Sequence, residues 1–168
     1  MNACISNLFI RLGGMSLAAG LLLPFPAAAG TLCAGDEKVV FSCPSDVKFI
    51  SVCGTDRGVQ YRYGNPGKVE TVFPPAPSRS GVVSAGELKY PQGGGMYLRF
   101  AAPDAEYVVY SAGDGDWEQS GIAVLRAGKQ VAEHICLPES AEMENFHNFN
   151  VDPDQGSFAV QVKNAPGE

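Results

Sequence analysis

Apolar and polar residues alternate in short runs along much of the chain. In residues 58–63, Val59, Tyr61 and Tyr63 alternate with Gln60 and Arg62. In 68–73, Val69, Thr71 and Phe73 alternate with Lys68, Glu70 and Val72. A period of two turns one set of side chains to a core and the other to water, so each run predicts a half-buried strand. Runs 39–42 and 49–52 flank Pro44, Ser45 and Asp46 and predict a hairpin. Residues 86–90, 96–101 and 106–111 read as further strands. Runs 121–126 and 129–136 flank Ala127 and Gly128, a second hairpin signal. In 157–162, Phe158, Val160 and Val162 alternate with Ala159, Gln161 and Lys163, which predicts a last strand. The proline-bearing 74–81 and the polar 112–120 read as loops, and Gly93, Gly94 and Gly95 as a bulge or a close-approach loop.

After Leu137 the pattern weakens. Residues 138–144 read as a short helix and 145–156 as polar turns. Gly 20 and Pro 12 favour turns over long helices. Eight or nine short strands predict an all-β fold, either a small antiparallel β-barrel or a β-sandwich. With no repeat and no linker, 30–168 read as a single β domain, less regular from about residue 137.

The first 29 residues follow another logic. Residues 1–11 carry Arg11 and no acid, 12–26 are apolar, and Ala27, Ala28 and Ala29 form an A-x-A cleavage signal. These features predict a secretory signal peptide removed after Ala29. Gly20, Pro24 and Pro26 interrupt the apolar run, which is shorter than the roughly 20 residues a membrane helix needs. No span is expected in the mature chain. Leu32 before Cys33 does not suit lipoprotein processing.

The net charge of −6 argues against nucleic acid, whose phosphates need a basic surface. The charge is uneven: 30–103 hold 8 basic and 6 acidic residues, and 104–168 hold 3 and 12. An acidic half suits a cationic partner, and it also serves solubility.

Cys4 leaves with the signal peptide, and Cys33, Cys43, Cys53 and Cys136 remain. In an exported chain an even count predicts disulfides. The first hairpin, paired at positions summing to about 91, separates Cys43 and Cys53 by about five strand residues, roughly 17 Å. That exceeds the roughly 7 Å a disulfide allows. Two pairings remain open. No C-x2-C pair or neighbouring histidine supports zinc instead.

Catalytic signatures are missing: no G-x-S-x-G, no H-E-x-x-H, no phosphate loop. No catalytic residue, cofactor or metal ligand is expected. Asp114, Asp116 and Glu118 alternate in a Gly-bearing segment and are the carboxylates an exported enzyme would use, or a partial calcium loop. Asp152 and Asp154 read as turn residues. His134 reads as a strand-face residue, and His147 has no identifiable partner. Trp117, the only tryptophan, is flanked by acids, as an exposed binding anchor or as a lid on the sheet.

Phe41-Ser42-Cys43, an aromatic-x-Cys, resembles the early motif of the bacterial periplasmic and membrane-bound inhibitors of C-type lysozyme. Gly93-Gly94-Gly95-Met96-Tyr97 resembles their S-G-x-x-Y loop, and Gly94 to Tyr97 fits the S-G-x-Y loop of invertebrate-type lysozyme inhibitors. Tyr107-Val108-Val109-Tyr110-Ser111-Ala112-Gly113 resembles the Y-x-x-x-T-K-G segment, and the run into Cys136 the closing strand. The resemblance covers about 39–136. It implies a small β-barrel, a Cys43–Cys136 bond that leaves Cys33 to Cys53, and a periplasmic or secreted binding protein that is not an enzyme. Its partner would be a cationic lysozyme-like protein, met by protruding loops. The contact residues would be Gly93, Gly94, Gly95, Met96, Tyr97, Tyr107 and Ser111, with Trp117 beside them; Tyr97 is either the anchor or the first strand residue, pointing into the core, with the glycines only shaping a turn. Two positions depart from the pattern. The family's serine falls on Gly93 and its lysine on Ala112, and neither side chain can make the polar contacts. Tyr61-Arg62-Tyr63-Gly64 and 107–113 also resemble exported proteobacterial proteins of no known activity.

Overall fold

A computed structural model describes residues 30–138, 141 and 146–160. The expected signal peptide, most of the 138–144 helix and the end of the expected last strand lie outside these residues. The fold is all-β. Its strands are β1 (Lys38–Pro44), β2 (Phe49–Thr55), β3 (Gly58–Asn65), β4 (Lys68–Ser78), β5 (Val83–Tyr90), β6 (Gly93–Ala101), β7 (Glu106–Asp114), β8 (Trp117–Arg126) and β9 (Lys129–Ile135). A 3-10 turn, Phe146–Phe149, follows. Among the described residues no helix is long and apolar enough to cross a membrane.

The strands form two antiparallel sheets, one of four strands in the order β1-β2-β3-β4 and one of five in the order β5-β6-β7-β8-β9. The sandwich alternative therefore holds, and the barrel is corrected. The first hairpin pairs Cys43 with Ile50 and Val39 with Cys53, within two residues of the expected register. Disulfides join Cys33 to Cys53 and Cys43 to Cys136, with Cα separations of 5.3 and 5.6 Å. The second hairpin turns at Ala127 (φ 49°) and Gly128 (φ 72°), two left-handed residues that match the strand twist.

Three expected loops are strand instead. β4 continues through Pro74, Pro75 and Pro77 because it is an edge strand, where a missing N–H breaks no ladder on its open side. Residues 74–77 bulge between the Tyr61–Phe73 and Val59–Ser78 pairs, and Gln60 Nε2 donates to the Pro74 carbonyl at 2.7 Å. The 112–120 segment is the end of β7 and the start of β8, joined at Gly115 (φ 58°) and Asp116. The three glycines lie inside β6. A fourth expectation fails in the opposite sense: 157–160 form no strand. Phe158 and Val160 instead pack on the outer face of the five-stranded sheet, which offers them burial without a ladder.

The core lies between the sheets. Val40, Phe41, Ile50, Val52, Val59 and Tyr61 of the first meet Val83, Leu98, Phe100, Val109 and Ile122 of the second. Tyr61 stacks on Tyr107 at 5.2 Å between ring centroids, and burial pushes its phenol well above the ordinary range. A second apolar cluster, including Leu88, Tyr97, Val108, Tyr110 and Ala123, occupies the outer face of the five-stranded sheet.

Candidate functional site

The five-stranded sheet carries its residues in cross-strand rows. Leu98, Val109 and Ile122 stand opposite one another on β6, β7 and β8 and belong to the inter-sheet core. Two positions along each strand, on the same face, the next row is Met96, Ser111 and Ser120, and the one after is Gly94, Gly113 and Glu118. Apolar residues thus give way to small and polar ones along one face. The same face that is buried core at one end becomes an open groove at the other.

Gln92, the Gly93–Met96 and Ser111–Gly115 segments, Trp117, Glu118 and Ser120 line this groove of about 480 Å³. A second hollow of about 400 Å³ shares Ser111, Trp117, Glu118 and Ser120 and runs on to Ile135 and Cys136. Its border is the Cys43–Cys136 disulfide, which ties the end of β1 to the end of β9. The Cys136 amide donates to the Ser120 carbonyl at 2.9 Å. On the floor Ser120 Oγ donates to Ser111 Oγ at 2.8 Å. Asp114 is partly committed, because its Oδ1 accepts the Gln92 amide at 2.6 Å. Glu118 is exposed.

The glycine run follows from this packing. A Cβ on Gly93 would enter the Gly113 carbonyl, and one on Gly95 would enter the Ser111 carbonyl and the Ala112 backbone. Close approach of β6 to β7, not a protruding loop, requires these glycines.

The expected contact residues separate into two groups. Gly93, Gly94, Gly95, Met96, Ser111 and Trp117 all border the groove. Tyr97 and Tyr107 do not. Tyr97 is 3% exposed and faces the outer cluster, so the exposed-anchor placement is corrected. Tyr107 is half-buried on the core face against Tyr61. Trp117 is half-buried, its ring edge-on to Tyr90 at 5.3 Å, which makes it a lid on the outer face as well as a groove border. Of the three alternating acids, Asp114 and Glu118 line the groove, while Asp116 sits exposed in the turn. His134 stacks on Tyr63 at 5.5 Å across the two sheets. His147 carries no described side chain.

The two glycine- and tyrosine-bearing segments noted in the sequence run side by side as β6 and β7, with Gly95 opposite Ala112. Gly93 and Ala112 lie diagonally on the face opposite Ser111. Sequence reasoning missed Ser120 and Gln92, whose part depends on strand register, and Asp154, which the outer face engages. Comparison with protein-family models, curated proteins and solved structures gives no match.

Proposed function

We propose that the protein is an exported envelope binding protein, not an enzyme, and that it takes a cationic segment of a partner protein into the groove. One observation carries this reading. The groove is lined by Asp114 and Glu118, by hydroxyls and by bare glycine backbone, with no lysine or arginine among its lining residues. Opposite charge steers the encounter, and exposed backbone and hydroxyl groups supply hydrogen bonds. Two disulfides suit an oxidising compartment, periplasmic or secreted, as does the leader-like start of the sequence. A lysozyme-like enzyme is the partner class that the sequence resemblance implies. With glycine at 93 and alanine at 112, the polar contacts would fall to Ser111, Ser120 and Glu118.

The test is calorimetric titration with C-type and invertebrate-type lysozymes at low and high salt. Binding is expected at low salt, weaker at high salt, and weakened at least tenfold by Ser111→Tyr, which fills the groove, and by Glu118→Lys. Equal binding by the wild type and both folded variants places the contact elsewhere. No binding to any lysozyme removes that partner class.

A further inference from the structure

The outer face of the five-stranded sheet is occupied by the chain's own 152–160 segment, and the manner of its seating resembles ligand binding. Residues 152–154 lie along the edge of β5. The Ala85 amide donates to the Asp152 carbonyl at 2.9 Å, and the Asp154 amide to the Ala85 carbonyl at 2.7 Å. This parallel contact covers an otherwise open strand edge. The Asp154 carboxylate then turns onto the sheet. It accepts Tyr97 Oη at 2.7 Å, Arg99 Nε at 2.9 Å and Ser84 Oγ at 3.1 Å. The Arg99 and Asp154 side chains are only 11% and 7% exposed, and Glu106 pairs with the other side of Arg99.

Four residues on, Phe158 sits over two tyrosines, with ring centroids 5.3 Å from Tyr97 and 5.8 Å from Tyr110. Those tyrosines are neighbours in a row that runs Gly86, Tyr97, Tyr110, Gly121 across four strands. The Tyr97 ring lies over Gly86, where a Cβ would strike it. The row is therefore a shallow aromatic seat with a polar pocket at one corner. Between these two grips the attachment is sparse. Among the described residues, 155–160 make no backbone–backbone hydrogen bond to the sheet, and Arg99 Nη2 reaches the Ser157 carbonyl at 3.2 Å. Segments held by few backbone hydrogen bonds are the ones that open locally.

We infer that this face is a second binding surface, closed in the resting protein by its own strap. The partner it fits is an extended peptide with a carboxylate for the Ser84–Tyr97–Arg99 corner and, four residues later, an aromatic ring for the Tyr97–Tyr110 seat. Main-chain pairing along β5 would align it, as in strand addition to an open sheet edge. The tethered strap acts at a high effective concentration, on the order of millimolar, so a free peptide competes only once the strap has loosened.

The experiment uses the 30–168 chain and a fluorescein-labelled peptide of residues 150–160, followed by anisotropy. The doubly substituted protein Asp154→Asn, Phe158→Ala, which has lost both grips, is expected to stay folded and to bind the peptide at least tenfold more tightly than wild type. A peptide carrying the same two replacements should not bind it. Hydrogen exchange at β5 and β6 amides should rise in the variant and fall again when peptide is added. Equal binding by variant and wild type, or equal binding of both peptides, overturns the inference. So does a variant that fails to fold, since the strap is then an inseparable part of the sandwich.

Discussion

Tyr97 Oη donates a 2.7 Å hydrogen bond to Asp154 Oδ2, across 57 positions of sequence. The contact joins an interior strand of the five-stranded sheet to the strap that covers it. Tyr97→Phe keeps the ring and removes this bond to a charged acceptor, a loss of about 1.5–3 kcal/mol. Tyr97→Ala also removes the ring from the outer cluster and is expected to cost about 3–5 kcal/mol. Urea unfolding of both variants checks the order. Equal midpoints for wild type and Tyr97→Phe would show that the bond contributes nothing net.

Acid should weaken the strap. Burial works against the Asp154 charge, but hydrogen bonds from Tyr97, Arg99 and the Gly156 amide, with the Arg99 charge, outweigh it and hold the carboxyl below its usual range. A folded pKa below the unfolded one adds stability that is present above the ordinary carboxylate range. It is lost as pH falls through the depressed value. Thermal melts of wild type and Asp154→Asn should therefore differ most at neutral pH and converge under strong acid. A gap that widens toward acid contradicts this assignment.

The two disulfides should contribute unequally. Cys43–Cys136 closes a separation of 93 residues and Cys33–Cys53 one of 20. Chain entropy gives about 4.7 kcal/mol for the longer loop and about 3.3 for the shorter. Melting of the two paired Cys→Ala variants is expected to show the larger fall for Cys43 and Cys136. Because Cys136 lines the hollow that adjoins the groove, removing this bond should weaken partner binding at temperatures where the variant is still folded. The Cys33–Cys53 variant should leave binding unchanged.

Glycines at Gly95 and Gly35 should respond oppositely to alanine. A Cβ at Gly95 meets the β7 backbone, which cannot move aside without breaking the sheet, so Gly95→Ala should cost about 1–3 kcal/mol. Gly35 lies in an exposed turn with nothing within 4 Å of a new Cβ, so Gly35→Ala should be neutral or slightly stabilising. Denaturant midpoints of the pair decide whether close strand approach sets the Gly93–Gly95 run.

Local pattern by itself located most of the strands, because alternation such as Val59, Tyr61, Tyr63 encodes a half-buried run without reference to any distant residue. It determined both hairpin turns and excluded a Cys43–Cys53 bond, since these depend on turn chemistry and strand rise. It also drew attention to Gly93–Met96, Ser111 and Trp117, which do border one groove. Only the tertiary structure decided where the sheets end. Pro74 to Pro77 look like a loop until β4 proves to be an edge, and Gly93 to Gly95 look like one until β7 is seen to press against them. Tyr97 carries an alternating pattern that fits either face, and its burial came from Phe158 and Asp154, more than fifty residues away. The 157–160 run shows the converse: alternation bespeaks burial of one side, but a ladder needs a free strand partner in register. Here a packed outer face met the first need and left the second unfilled. Local sequence encodes which side of a strand is buried, whereas the neighbour that buries it is set by long-range packing.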